Sequence, residues 1–326
     1  MKCINKISTF LVLCAGLLVL GGCGASNSSA ISKIEQEQYN RNVYQGELRS
    51  GSLCVTEKDV ISKKYKGDQN ANALGLYDVK NKEVLYSYNA HEKIYPASLT
   101  KVMTAYVVLQ NSSLEDEVKV SAKSAASSFP SDAQVCGLKE GDVWTMEALL
   151  NALLLYSGND VAAAIAEHVS GSEEAFVDEM NRCAKELLAV NTHFANSHGL
   201  HENEHYTTAY DLYLIFNECI KDERFVNIIK QKSYTATYKA SDDSKKQVTF
   251  MPTNLYATGQ VELPKGAVVL GGKTGTTGEA GYCLMLLSEK ADGEYYISTV
   301  MGAENKPALY EKMTALINSI PSKKSN

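Results

Sequence analysis

Ser98 and Lys101, in the run Ser98-Leu99-Thr100-Lys101, are the first residues whose types and spacing suggest chemistry. On a helix, residues three apart lie on one face, one turn from each other. A serine hydroxyl becomes a useful nucleophile when a base takes its proton, and an amine is such a base only when neutral. The surroundings favour neutrality. With a helix opening near Pro96, positions 98, 101, 102, 105 and 109 share one stripe that reads Ser, Lys, Val, Ala, Leu. Burial on an apolar face and a nearby cation both lower the pKa of a lysine. Two further runs add to the pair. Ser157-Gly158-Asn159 brings a second hydroxyl and an amide, and Lys273-Thr274-Gly275 brings a second lysine, after Gly271-Gly272 on an apparent strand. A glycine after the threonine lets a ligand lie close along that strand. Ser-x-x-Lys by itself is weak, since roughly two such spacings arise by chance in a chain like this. The three runs in this order suit acyl transfer through a serine ester, with no cofactor and no metal.

The elements that must hold these residues are legible as hydropathy patterns. Ala73–Asp78 and Val84–Tyr88 flank the polar Lys80-Asn81-Lys82 and predict a hairpin, followed by a helix from Pro96 to about Gln110. Met146–Tyr156 is apolar nearly all round, which predicts a buried helix ending at Ser157. Helices follow over Val161–Val169, Ser172–Leu188 and Thr208–Cys219, the second opening on a Ser172 cap with Glu173 and Glu174 in its first turn. Val268–Leu270, Tyr282–Ser288 and Tyr295–Met301 predict strands, the last two around an Asp292-Gly293 turn, and an amphipathic helix over Pro307–Ile320 closes the pattern. The expected fold class is α/β of the α+β type: an antiparallel five-stranded sheet flanked by helices, with an all-helical lobe inserted between its early and late strands.

The chain begins with targeting features. Lys2 and Lys6 precede the apolar run Phe10–Leu20, which is too short to span a bilayer comfortably as a helix, since that takes about 20 residues. Leu20-Gly21-Gly22-Cys23 follows and resembles a bacterial lipobox, in which the cysteine is lipidated and becomes the new N-terminus. The expected organisation is a lipoprotein signal peptide over 1–22, a lipidated Cys23 with a mostly flexible tether to residue 70, and a catalytic domain over 71–322. That places the protein on the outer face of a bacterial cell membrane, held by its lipid. Formal net charge is −6, and removing the first 22 residues with their two lysines makes it about −8. No basic stripe is visible, so nucleic acid is not an expected partner. Beyond residue 23 the chain has Cys54, Cys136, Cys183, Cys219 and Cys283, an odd number without C-x-x-C spacing, which indicates neither a disulfide framework nor a cysteine-ligated zinc. Cys183 falls on the apolar stripe of Phe176, Met180, Ala184 and Leu187 and is expected in the core.

The three runs and their flanks resemble the serine D-alanyl-D-alanine carboxypeptidases, the low-molecular-weight penicillin-binding proteins. The resemblance extends from about Ala73 to Ile320. It includes Pro96–Thr104, Ser157-Gly158-Asn159-Asp160, His198-Gly199-Leu200, His205–Ala209 and Glu279-Ala280-Gly281-Tyr282. It implies Ser98 as acylated nucleophile, Lys101 as general base and Ser157 as proton relay. It also implies substrate contacts from Asn159, Lys273, Thr274, Gly275 and Thr276, with the N–H groups of Ser98 and Thr276 as oxyanion hole. The implied substrate is a peptidoglycan stem peptide ending in D-Ala-D-Ala, with β-lactams as covalent inhibitors. The chain departs from this pattern at Lys306, where relatives often place an arginine. Lysine is the poorer bidentate partner for a carboxylate.

Other readings of the same residues are a β-lactamase, a penicillin-binding sensor that does not turn over, and a zinc protease. The class A β-lactamases have Asp where Gly158 stands, and only Glu202 or Glu204 offers itself as a deacylating carboxylate. His201-Glu202-Asn203-Glu204-His205 matches the H-E-x-x-H zinc pattern, but its segment is polar throughout, follows a glycine and predicts a loop.

Overall fold

A computed structural model describes residues 49–321. The expected signal peptide, Cys23 and the tether as far as residue 48 lie outside the described residues, as do residues 322–326. The larger unit begins at Leu53; of the preceding unit only the 3-10 turn Arg49–Ser52 is described.

In chain order, the hairpin β1 (Ala73–Asp78) and β2 (Glu83–Tyr88) leads through a 3-10 turn, Ala97–Thr100, into α1 (Lys101–Asn111). Two three-residue strands follow, β3 (Glu117–Lys119) and β4 (Val143–Thr145). The helical block is α2 (Met146–Asn151) with a π-helical turn Ala152–Tyr156, then α3 (Asn159–Ser170), α4 (Glu173–Glu186), α5 (Ala209–Cys219) and α6 (Glu223–Ile229). A second hairpin, β5 (Tyr234–Lys239) and β6 (Lys245–Phe250), precedes β7 (Val268–Thr277), β8 (Gly281–Glu289), β9 (Tyr295–Ala303) and the final helix α7 (Lys306–Asn318).

β2-β1-β9-β8-β7 is the order of the main sheet, and every neighbouring pair in it is antiparallel. This is the expected five-stranded sheet with a large insertion between its early and late strands. It is buried on both faces, which explains why Tyr282–Leu287 reads as a continuous apolar run rather than an alternating one. Met285 and Leu287 of β8 face the helical block with Tyr77, Leu99, Val102 and Phe216. Leu284 and Leu286 face the other way, against Leu309, Met313, Leu316 and Ile317 of α7. Helix starts follow their caps: Ser172 accepts from Ala175 N, Thr208 from Asp211 N and Asn305 from Ala308 N. Cys183 is buried in the core.

Two expectations need correcting. The inserted lobe is not all-helical, because β3-β4-β5-β6 form a small antiparallel sheet within it, where Trp144 stacks on Tyr238 with ring centroids 4.0 Å apart. β3 and β4 are too short to show alternation, and β5 and β6 are polar along most of their length. The boundary set at residue 71 also moves, since residues 53–70 pack on the domain. Cys54 N donates to Tyr213 Oη at 2.8 Å, Val60 N to Ser87 Oγ at 2.8 Å, and Asp59 accepts from Asn89 N and Ala90 N. Isolated apolar residues such as Leu53 and Val60 carry no period that a pattern search detects.

β7 meets the helical lobe at Gly271, where an added Cβ would stand 1.8 Å from the carbonyl oxygen of Ile229 at the end of α6. That neighbour is backbone and cannot rotate away. Gly271→Ala should therefore force sheet and lobe apart and destabilise the protein by about 2–4 kcal/mol. Urea unfolding monitored by circular dichroism measures this, with a lower midpoint as the expected outcome.

Candidate active site

The turn that presents Ser98 is built under constraint. Ala97 has φ +48° and is buried, an arrangement that costs a non-glycine residue on the order of 1–3 kcal/mol. Several contacts hold it. Thr100 Oγ1 donates to Ala97 O at 2.8 Å and also meets His205 Nε2 at 2.7 Å, while Thr104 Oγ1 donates to Ser197 O at 2.6 Å. Gly199, at φ +89°, closes over the turn so tightly that a Cβ there would lie 2.0 Å from Ala97 O. From the other side β7 approaches at Gly275, where a Cβ would stand 3.0 Å from Ser98 N. The glycine thus lets the strand lie against the serine's own N–H group.

Lys101 opens α1 and is fully buried. Its Nζ lies 2.9 Å from Ser98 Oγ, 2.7 Å from Asn159 Oδ1 and within hydrogen-bond distance of His198 O. A neutral amine has two N–H donors and one lone pair. Asn159 Oδ1 and the His198 carbonyl can only accept, so they take the two donors and the lone pair is left for the proton of Ser98. Burial, and then the nearby Lys273, hold the Lys101 pKa well below the ordinary lysine value.

The second lysine mirrors the first. Lys273 on β7 is 1% exposed, and its Nζ reaches Ser157 Oγ and Thr274 O, each at 2.8 Å. Burial lowers its pKa to about 7. Ser157 ends the π-helical turn with φ +75°, a second strained non-glycine position. The wider π turn redirects the chain so that Ser157 faces β7 and Asn159 starts α3. Asp160 then fixes a neighbouring loop: its carboxylate accepts from Cys136 N, Gly137 N, Leu138 N and Val161 N, all at 2.9–3.0 Å. Burial raises the Asp160 pKa, and those four N–H groups pull against that shift. Asn159 N donates to Gln134 O at 2.8 Å, tying the same loop to the site.

These parts line one cleft of about 330 Å³. Ser98, Ser157, Asn159, Thr274, Gly275 and Thr276 are all on its walls, with Lys101 and Lys273 buried behind them. The residues of the three runs, Ser98, Lys101, Ser157, Asn159, Lys273, Thr274, Gly275 and Thr276, are thus brought together, whereas Cys23 lies outside the described residues. Thr253 is an addition that no motif announces: its Oγ1 meets Thr274 Oγ1 at 2.5 Å, and its backbone N donates to Leu155 O at 3.0 Å. Lys306 lines the cleft at the first turn of α7, near Tyr282 and Leu309.

The competing motifs fall elsewhere. Residues 201–204 are not helical, so His201 and His205 are not presented on one helix face. Both ring nitrogens of His205 are engaged, Nε2 with Thr100 and Nδ1 accepting from Ala195 N at 3.0 Å, while His201 packs on the edge of Tyr95. Among the described residues no group of three or more His, Cys, Asp or Glu side chains gathers as metal ligands. Glu202 accepts from Asn196 Nδ2, and neither Glu202 nor Glu204 lines the cleft.

Comparison with known proteins points in one direction. The family model described as D-alanyl-D-alanine carboxypeptidase matches residues 59–305. The chain is 33% identical over 243 residues to D-alanyl-D-alanine carboxypeptidase DacF of Bacillus subtilis, covering 72% of this chain and 58% of that protein. It is 34% identical over 257 residues to DacC of Escherichia coli, covering 76% of this chain and 60% of that one. The D-alanyl-D-alanine carboxypeptidase of Streptomyces sp. strain K15 is 33% identical over 285 residues, with 83% of this chain and 93% of that protein covered. The chain therefore spans somewhat under two thirds of the first two relatives and nearly all of the third. The crystal structure of the Streptomyces K15 DD-transpeptidase superposes with a TM-score of 0.72 at 29% identity, covering 78% of this chain and 98% of that one.

The lowered pKa of Lys273 has a consequence for stability that can be measured. Below pH 7 both folded and unfolded chains bind its proton, and the full penalty of a buried ammonium is present. Between about 7 and the ordinary value of 10.5 the unfolded chain binds more protons, so stability rises with pH. Lys101 contributes with the same sign. Urea unfolding at a series of pH values should show this rise, and Lys273→Met should reduce its slope.

Proposed function

The chain belongs to the D-alanyl-D-alanine carboxypeptidase family, and from that premise we propose that it removes the terminal D-alanine of peptidoglycan stem peptides through a Ser98 acyl-enzyme. The observation that carries this reading is the contact between Lys101 Nζ and Ser98 Oγ at 2.9 Å, made by a lysine whose two other partners can only accept. Lys101 takes the proton of Ser98 as Oγ attacks the carbonyl carbon of the penultimate D-alanine. The oxyanion that forms is met by the N–H groups of Ser98 and Thr276, on the turn and the strand that Gly275 lets approach each other. Ser157, backed by Lys273, passes a proton to the departing amine. D-alanine leaves as the C–N bond breaks and the ester forms. Water then attacks the ester, releases the shortened peptide and returns the proton to Ser98. Asn159 orients the peptide amide, and Thr274, Thr276 and Lys306 supply hydroxyls and positive charge for the terminal carboxylate.

The same chemistry opens a β-lactam ring, so penicillins are substrates for acylation. Their acyl-enzymes persist, because neither Glu202 nor Glu204 lines the cleft to activate water against a bulky ester. Glu202 and Glu204, the candidates for a β-lactamase role, are turned to other partners or to solvent.

The sequence at the start of the chain supports a location. Lys2, Lys6, the apolar Phe10–Leu20 and Leu20-Gly21-Gly22-Cys23 fit export followed by lipidation at Cys23. A single acyl chain binds a membrane only marginally, whereas a two-chain diacylglycerol anchors stably. The enzyme then works on the outer face of the cell membrane.

Two experiments test these readings. Fluorescent penicillin should label the protein at Ser98, with the adduct located by peptide mapping, and Ser98→Ala should abolish it. Acylation should weaken as pH falls, because Lys101 gains a proton and loses its lone pair. Lys101→Arg keeps the charge and removes the base, so the acylation rate should drop by about 10²–10⁴-fold. For anchoring, fractionation of expressing cells should find the wild-type protein with membranes, and Cys23→Ser should shift it to the soluble fraction at altered mass.

A further inference from the structure

We propose that Asp132 selects stem peptides in which the residue preceding D-Ala-D-Ala carries a free side-chain ammonium. This rests on the carboxypeptidase reading and narrows its substrate class. Asp132 shares the cleft with Ser98, Ser157 and Asn159 and is the single carboxylate among the described residues that line it. Its side chain is exposed, and no described residue donates a hydrogen bond to it or pairs with it. Elsewhere in the protein, the half-buried carboxylates Glu179, Glu294 and Asp222 each face an Arg or Lys partner. Asp132 faces the cleft without one.

Its position is well determined. Ala133 N donates to Pro130 O at 3.0 Å, closing a turn over residues 130–133. Gln134 O accepts from Asn159 N at 2.8 Å, and the Asp160 carboxylate gathers the N–H groups of Cys136, Gly137 and Leu138. The segment carrying Asp132 is therefore tied to the start of α3, beside the amide that orients the peptide.

The direction of the substrate follows from charge. Lys306 is the cleft's exposed cation and stands on the sheet side, with the hydroxyls of Thr274 and Thr276. The terminal carboxylate belongs there. The peptide upstream of the scissile bond must then leave on the other side, past Asn159 and the 130–133 turn. The first charge its side chain meets on that path is Asp132. An unpaired carboxylate on an otherwise uncharged wall attracts a cation, repels an anion and is indifferent to a neutral group. Exposed pairs are weak, so the expected preference is about three- to fivefold.

The test compares release of D-alanine from two peptides, Nα-acetyl-L-lysyl-D-Ala-D-Ala and its Nα,Nε-diacetyl counterpart, and reads the ratio of their kcat/KM values. Wild-type protein should favour the free ammonium about three- to fivefold at low salt, and the preference should shrink as salt is added. Asp132→Asn should bring the ratio close to one, and Asp132→Lys should invert it. Each ratio is internal to one protein preparation, so partial misfolding of a variant does not distort it, and the salt dependence needs no variant. A wild-type ratio near one, or a ratio that Asp132→Asn leaves unchanged, would overturn the proposal while the carboxypeptidase reading stands. If wild-type protein labels with penicillin yet releases D-alanine from neither peptide, the carboxypeptidase reading itself falls, and the proposal with it.

Discussion

Two lysine side chains withdrawn from water into one site are the constraint around which this protein is organised. An ammonium taken from water without an opposite charge is strongly disfavoured, and a pair of them is worse. Among the described residues no carboxylate contacts either amine; their partners are hydroxyls, an amide oxygen and backbone carbonyls. These satisfy N–H groups without demanding a full charge. The penalty is met by loss of protons rather than by ion pairing, and a lysine becomes a base as a result. Everything that keeps water away from Lys101 and Lys273 contributes to this: the sheet covered on both faces, the apolar start of α1 and the close approach of β7 to the Ser98 turn.

Two of the six described non-glycine residues with positive φ stand at the same place. Ala97 and Ser157 both have positive φ, and each adjoins or carries a hydroxyl of the site. The Ala97 turn is clamped by Gly199 and by the Thr100 and Thr104 hydroxyls, while Ser157 is delivered by a π-helical turn. Strain of this kind persists only where neighbouring contacts over-determine it. Here those contacts come from three separate stretches of chain, 97–104, 152–160 and 197–205, which meet where the helical block packs on the sheet.

Much of this was legible in the sequence because its signals are local. Ser98 and Lys101 are one turn apart, Ser157 and Asn159 end an apolar run, and Lys273 sits in a strand marked by flanking glycines. The main sheet and the principal helices were visible for the same reason, as apolar runs bounded by turn residues and as capped stripes of period 3.6. Other features depend on residues that meet only in the folded chain. Thr253 carries no motif and reaches Thr274 because a loop after β6 passes beneath the π turn. The His198 carbonyl is backbone, on which side-chain identity is silent. Asp160 was visible as a neighbour of Asn159, but its partners, the N–H groups of residues 136–138, have no sequence signature. β3–β6 escaped because two strands are short and two are polar along most of their length.

The three partners of Lys101 Nζ have a consequence for how the first step proceeds. Protonated, the amine would donate to Ser98, Asn159 and His198 together; neutral, it donates to two of them and accepts from the third. The same heavy-atom positions serve both states. Transfer of the serine proton therefore asks for almost no displacement of the surrounding groups, and the reorganisation energy of that step is small. In the proposed reaction the cradle is already arranged for the charge that Lys101 would acquire as Ser98 attacks, so the stabilising dipoles would not have to turn.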